Sequence, residues 1–129
     1  TKADSDEQAN AQGNQREIYL VRQIRQIVAA RLNEDLSLQD IADALQYSYN
    51  YLSYLFKRET GQNFSEYLTS QRMEKAKRLL RSSGMKIYEV AECCGYRNVK
   101  YFINAFHKVV GITPTQYKNQ ICGIELKEQ

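Results

Sequence analysis

The sequence predicts an all-α fold of about seven helices, in which two helix-turn-helix subdomains are joined by a linking helix. Two observations point there. Sustained alternation of apolar and polar residues, the strand period, is absent, while apolar residues three and four apart recur between cap residues along most of the chain. In addition, one phrase occurs twice, as "QYSYNYLSYLFKRETGQNFSEY" at 46–67 and as "GYRNVKYFINAFHKVVGITPTQY" at 95–117.

Residues 1–15 carry no large apolar side chain and are expected to form a disordered tail or an interdomain linker. A chain opening on Thr1 rather than Met is expected to be part of a longer protein. From Glu17 the helical period sets in: Leu20, Ile24, Ile27 or Val28, and Leu32 share one stripe, predicting four turns that end near Asn33. Ser37 with Asp40 caps a helix carrying Leu38, Ile41, Ala42 and Leu45, and Ser48 opens the next, from Tyr49 to about Thr60, which Gly61 stops. Asn63 followed by Glu66 caps a longer helix from Phe64 to about Arg81, ended by Gly84.

The order then repeats. Ile87, Val90, Ala91 and Cys94 line a helix broken at Gly95; Asn98 caps another that Gly111 stops; Thr113-Pro114-Thr115-Gln116 opens a short final helix around Tyr117. Ile41-Ala42 matches Val90-Ala91 and Tyr47 matches Tyr96 at an offset of 49; from Ser48/Asn98 onward the offset is 50, pairing Leu52 with Phe102, Phe56 with Phe106, Gly61 with Gly111 and Tyr67 with Tyr117. One residue is therefore gained in the second turn. A small residue in the first helix (Ala42, Ala91) lets the second cross closely, and apolar residues four apart anchor that second helix. Its opposite face is left free near its N-terminus.

The charge is uneven. Residues 57–118 carry 12 Lys/Arg against 5 Asp/Glu, while the whole chain is only +3, a pattern that suits a polyanion-binding face. Three cysteines, Cys93 and Cys94 adjacent, make no disulfide framework and no zinc chelate, so neither metal nor cofactor is expected. Cys94 reads as a small core residue and Cys93 as a surface one. An enzyme would rest on the single histidine, His107, beside a core Phe, and no phosphate-cradling glycine loop is present. No apolar run approaches the roughly 18 residues of a membrane span, so no membrane contact is expected. A protein-interaction module would need apolar outer faces; Val99 and Ile103 hint at one in the second copy, but Asn50, Ser53 and Lys57 argue against it in the first.

The phrases "YNYLSYLFKRETGQNFSEYLTSQRMEKAKRLL", "IYEVAECCGY" and "YFINAFHKVVGITPTQY" resemble the arabinose-regulator (AraC/XylS) family of bacterial transcription factors from about Ile18 to Lys118. The resemblance implies a DNA-binding domain over 16–120, with helix-turn-helix units at 36–61 and 86–111, a linking helix at 63–82 and a C-terminal tail at 121–129. The linking helix, roughly 27 Å long at 1.5 Å per residue, is compatible with two readers about one DNA turn, roughly 34 Å, apart. The resemblance further implies sequence-specific double-stranded DNA binding in successive major-groove segments, activation through nearby RNA polymerase, a cytoplasmic, nucleoid-associated location, and any dimerisation through a region before Thr1.

Carried over position by position, the family's base-reading sites fall on Asn50, Ser53 and Tyr54 in the first recognition helix and on Val99, Lys100, Ile103 and Asn104 in the second. Asn can bond adenine bidentately, Lys can donate to guanine, and Val or Ile can touch a thymine methyl. Arg is frequent in the family where Tyr54 and Asn104 stand, a small polar residue where Ile103 stands, and Lys where His107 stands. Bidentate Arg readout of guanine is thus missing, which favours a site richer in A·T. Phosphate contacts are expected from Lys57, Arg58, Arg72, Lys86, Arg97 and Lys108, with Arg72 alternatively a structural tie, and from Tyr49. The tyrosines are otherwise expected to be mostly core, with only Tyr49 and Tyr54 at DNA.

Overall fold

The computed structural model of the chain describes residues 14–82 and 84–128, those from 122 on by backbone alone. The tail expected over 1–15 lies outside the described residues up to residue 13. Among the described residues there are seven α-helices and no strand: α1 Gln15–Ala30, α2 Leu38–Leu45, α3 Tyr49–Thr60, α4 Phe64–Ser82, α5 Ile87–Cys93, α6 Val99–Val110 and α7 Pro114–Glu128. They gather into two compact units. One takes the chain up to Arg31 with Leu36–Tyr67; the other takes Leu32–Asp35 with the chain from Leu68 onward.

In the first unit α1 and α2 both pack on α3. Ile24, Ile41, Leu52, Leu55 and Phe56 are its most deeply buried large side chains. α1 starts two residues before the predicted Glu17, because Asn14 and Glu17 form a capping box: the Glu17 N–H donates to Asn14 Oδ1 at 2.7 Å and the Asn14 N–H to Glu17 Oε1 at 3.3 Å. It also stops earlier than Asn33. The Arg31 N–H is shared between the carbonyls of Ile27 and Val28, and Arg31 itself leaves helical geometry. Of the two alternatives on the stripe, Val28 is the buried one.

The second unit has its own core, with Met73, Ala76, Leu80, Val90, Ala91, Cys94, Phe102 and Phe106 forming one buried cluster. There α5 and α7 both pack on α6. Burial pushes the Cys94 thiol up to about 11, in keeping with an inert core residue, while Cys93 is half-buried.

The sequence repeat is a repeat of structure down to single bonds. The Tyr47 N–H donates to the Ala42 carbonyl at 3.0 Å, and the Tyr96 N–H to the Ala91 carbonyl at 2.9 Å. Ser48 caps α3 through the Tyr51 N–H, and Asn98 caps α6 through the Lys100 and Tyr101 N–H groups. Gly61 and Gly111 end these helices in the left-handed region, at φ +78° and +97°. The rings of Phe56 and Tyr67 meet edge to face with centroids 5.1 Å apart, and those of Phe106 and Tyr117 do the same at 5.6 Å.

The final helix differs from expectation. It opens as predicted, with the Gln116 N–H on Thr113 Oγ1 at 3.1 Å and the Thr113 N–H on Gln116 Oε1 at 2.9 Å. Instead of stopping near Tyr117, it continues to Glu128, through the stretch read as a tail. Its sequence holds good helix formers and one glycine, Gly123, which a helix interior tolerates at about 1 kcal/mol.

Candidate nucleic-acid interface

In α3, Leu52, Leu55 and Phe56 point wholly inward. Asn50 and Tyr54, four residues apart, therefore share the outward face, where both are exposed together with Tyr49 and Lys57; Ser53 is half-buried beside them. In α6, Phe102 and Phe106 hold the inner face, and Lys100, Asn104, His107 and Lys108 are exposed. Val99 and Ile103 are half-buried and pack against the core of their unit, so each offers only part of its surface outward.

The cations fall into two groups. Lys57, Lys86, Arg97 and Lys108 are exposed. Arg97 is the extra residue of the second turn, and Lys86 opens α5, its N–H donating to the Glu89 carboxylate at 2.9 Å. Arg58 and Arg72 are engaged with the protein itself. Arg58 Nη2 lies 2.8 Å from Glu59 Oε1 and 3.2 Å from Glu17 Oε2, with its guanidinium 5.7 Å from the centre of the Tyr54 ring. Its hydrogen bond to Glu59, more than that to Glu17, holds the guanidinium above its ordinary value. Arg72 donates from Nε to the Leu32 carbonyl at 3.2 Å and from Nη2 to the Glu34 carbonyl at 2.7 Å, and stacks 5.5 Å over Tyr96. These contacts hold α4 to the 32–35 segment and to Tyr96 within the second unit.

The tyrosines are a correction. Six of the ten, Tyr19, Tyr49, Tyr51, Tyr54, Tyr88 and Tyr101, are exposed rather than mostly core. The most open, Tyr101 at 70 %, stands in the first turn of α6, outside the set of residues expected at DNA. With Tyr88 and Arg97 it lines an open groove of about 1130 Å³ in the second unit. The signal that finds Tyr101 is the repeat, which sets it opposite Tyr51 in α3. Among the described residues no cluster of three or more His, Cys, Asp or Glu side chains is placed to hold a metal ion. No helix there is long and apolar enough to cross a membrane.

Comparison with known proteins matches residues 41–120 to a helix-turn-helix domain family. The HTH-type transcriptional regulator YtdP of Bacillus subtilis (strain 168) is 42% identical over 94 residues, which are 73% of this chain and 12% of that protein. The chain spans about an eighth to about a third of the length of such curated relatives. An AraC-type DNA-binding regulator from Chromobacterium violaceum superposes with a TM-score of 0.75 at 26% identity, over 84% of this chain and 96% of that one. The DNA-binding domain of AdpA, a global transcriptional factor solved in complex with a target DNA, gives 0.74 at 25% identity, over 78% and 90%. With the doubled turn, the doubled aromatic anchor and these matches in hand, the chain belongs to the AraC/XylS family of helix-turn-helix transcriptional regulators.

Proposed function

We infer that this chain binds double-stranded DNA sequence-specifically, with α3 and α6 as recognition helices in successive major-groove segments, and so regulates bacterial transcription. The observation that carries this reading is the duplication itself: two cap-to-cap copies of one unit, each holding its second helix by an apolar inner face and leaving a polar outer face. The AdpA complex shows a related domain on its target DNA. A continuous α4 of 19 residues, about 28 Å at 1.5 Å per residue, fits a connector between two readers.

Asn50, Ser53 and Tyr54 read bases from α3; Val99, Lys100, Ile103 and Asn104 read from α6. Lys57, Lys86, Arg97, Lys108 and Tyr49 take phosphates. Arg58 and Arg72, bound by protein partners, contribute least there. Activation through RNA polymerase, action in the cytoplasm on the nucleoid, and dimerisation outside this stretch complete the reading and come from the family. Selection of bound duplexes from a random pool tests it. Two unlike boxes about 10–10.5 bp apart, centre to centre, are expected. Weak binding without enrichment, governed by salt alone, would sink it.

A further inference from the structure

Arg58 continues the outward stripe of α3, four residues beyond Tyr54 and eight beyond Asn50, yet its charge is met by two carboxylates before any DNA arrives. One of these, Glu59, is its chain neighbour. The other, Glu17, comes from the first turn of α1. Glu17 has two tasks: Oε1 accepts the Asn14 N–H to cap α1, while Oε2 faces Arg58 at 3.2 Å and accepts the Tyr51 hydroxyl at 3.5 Å. Glu17 is the more covered partner, its side chain 14% exposed against 26% for that of Arg58, a surface residue. Burial first, and then the Glu17 charge, hold the Tyr51 phenol above its ordinary value.

We propose that Glu17 is a positioning residue for the first recognition helix: it withholds Arg58 from DNA phosphates and fixes the guanidinium against Tyr54. One guanidinium between two carboxylates has its charge already matched, so Lys57 is left as the cation of that end of the reading stripe. A DNA backbone approaching there in the wrong register gains no counterion release from Arg58. Non-specific affinity is lowered, and Tyr54 is presented in a set orientation. The proposal rests on the DNA-binding reading above and adds to it a device for specificity. No shared property of helix-turn-helix geometry requires it, because the contact is made by a side chain of α1.

The test uses the 129-residue chain with Glu17→Gln, whose one amide oxygen keeps the α1 cap while the charge and the second acceptor, the one facing Arg58 and Tyr51, are lost. Random-sequence duplex affinity is measured against salt for the wild type, for Glu17→Gln, and for Glu17→Gln with Arg58→Ala. The single variant is expected to bind random duplex several-fold more tightly, with a salt slope steeper by up to about 0.9, one phosphate's worth. Adding Arg58→Ala should abolish both gains. An unchanged affinity and slope in Glu17→Gln, or a gain that survives the loss of Arg58, overturns the proposal alone. A wild type with no salt-dependent binding to any duplex overturns it together with the reading beneath it.

Discussion

Arg72 stacks on the Tyr96 ring and Arg97, the next residue of the chain after Tyr96, is exposed, and the two separate what a cation does for a fold from what it does for a ligand. Arg72 satisfies two main-chain carbonyls of the 32–35 segment, and hydrogen bonds from a charged donor are worth about 1.5–3 kcal/mol each. Because the bond to Glu34 is exposed to solvent and counts for less, Arg72→Ala should lower unfolding stability by about 2–4 kcal/mol rather than the roughly 3–6 of two such bonds. Arg72→Lys should recover less than half, lacking the planar fork and the stack on Tyr96. Denaturant midpoints check both. Arg97→Ala should leave the midpoint within about 0.5 kcal/mol and flatten the salt slope of DNA binding by about 0.9; an unchanged slope would remove Arg97 from the phosphate set. Sequence alone placed both residues among the phosphate cations. What separates them is whether a carbonyl forty residues away in the chain comes within reach, and no local pattern encodes that.

Among the elements, the two turns solve one geometric problem with different residues. The left-handed position between the paired helices is held by Gly95 at φ +89° in the second copy and by Gln46 at φ +64° in the first. A Cβ on Gly95 would stand 2.9 Å from the Leu32 carbonyl oxygen and 3.1 Å from Arg72 Nη2. Gly95→Ala thus combines left-handed strain with a collision against backbone, and should cost about 2–4 kcal/mol. Gln46→Gly relieves the strain of a side chain in the same region and should gain up to about 1 kcal/mol. Opposite signs in paired unfolding curves are the expected result; equal signs would mean that the turns are not equivalent. Four helix starts were legible because Ser48, Asn63, Asn98 and Thr113 advertise themselves as caps, whereas α5 opens at Lys86 without a side-chain cap. The end at Gln46 was not, since glutamine carries no turn signal; only its alignment with Gly95 reveals it. The length of α7 was not legible for the converse reason: a helix can run through a single glycine, here Gly123, as it cannot through Gly61 or Gly111 in their left-handed geometry.

For the chain as a whole, doubling of the sequence produces two units with cores of their own, and this makes a prediction about cooperativity. Phe106 is fully buried in the second cluster, with its ring against Phe102 at 5.9 Å and Tyr117 at 5.6 Å. Phe106→Ala should cost about 3–5 kcal/mol, a large share of the total stability of a domain this size. Because the residues it deprives of contacts belong to one unit, amide protection should collapse across α5 and α6 while α2 and α3 stay protected. Hydrogen exchange resolved by peptide reads this directly, and duplex selection with the same variant should return the α3 box alone. Protection lost evenly from both units would mean that α4, which contributes its first turn to one and the rest to the other, makes them a single cooperative fold. In that case Phe56→Ala in the first unit should erase both boxes as completely as Phe106→Ala does in the second.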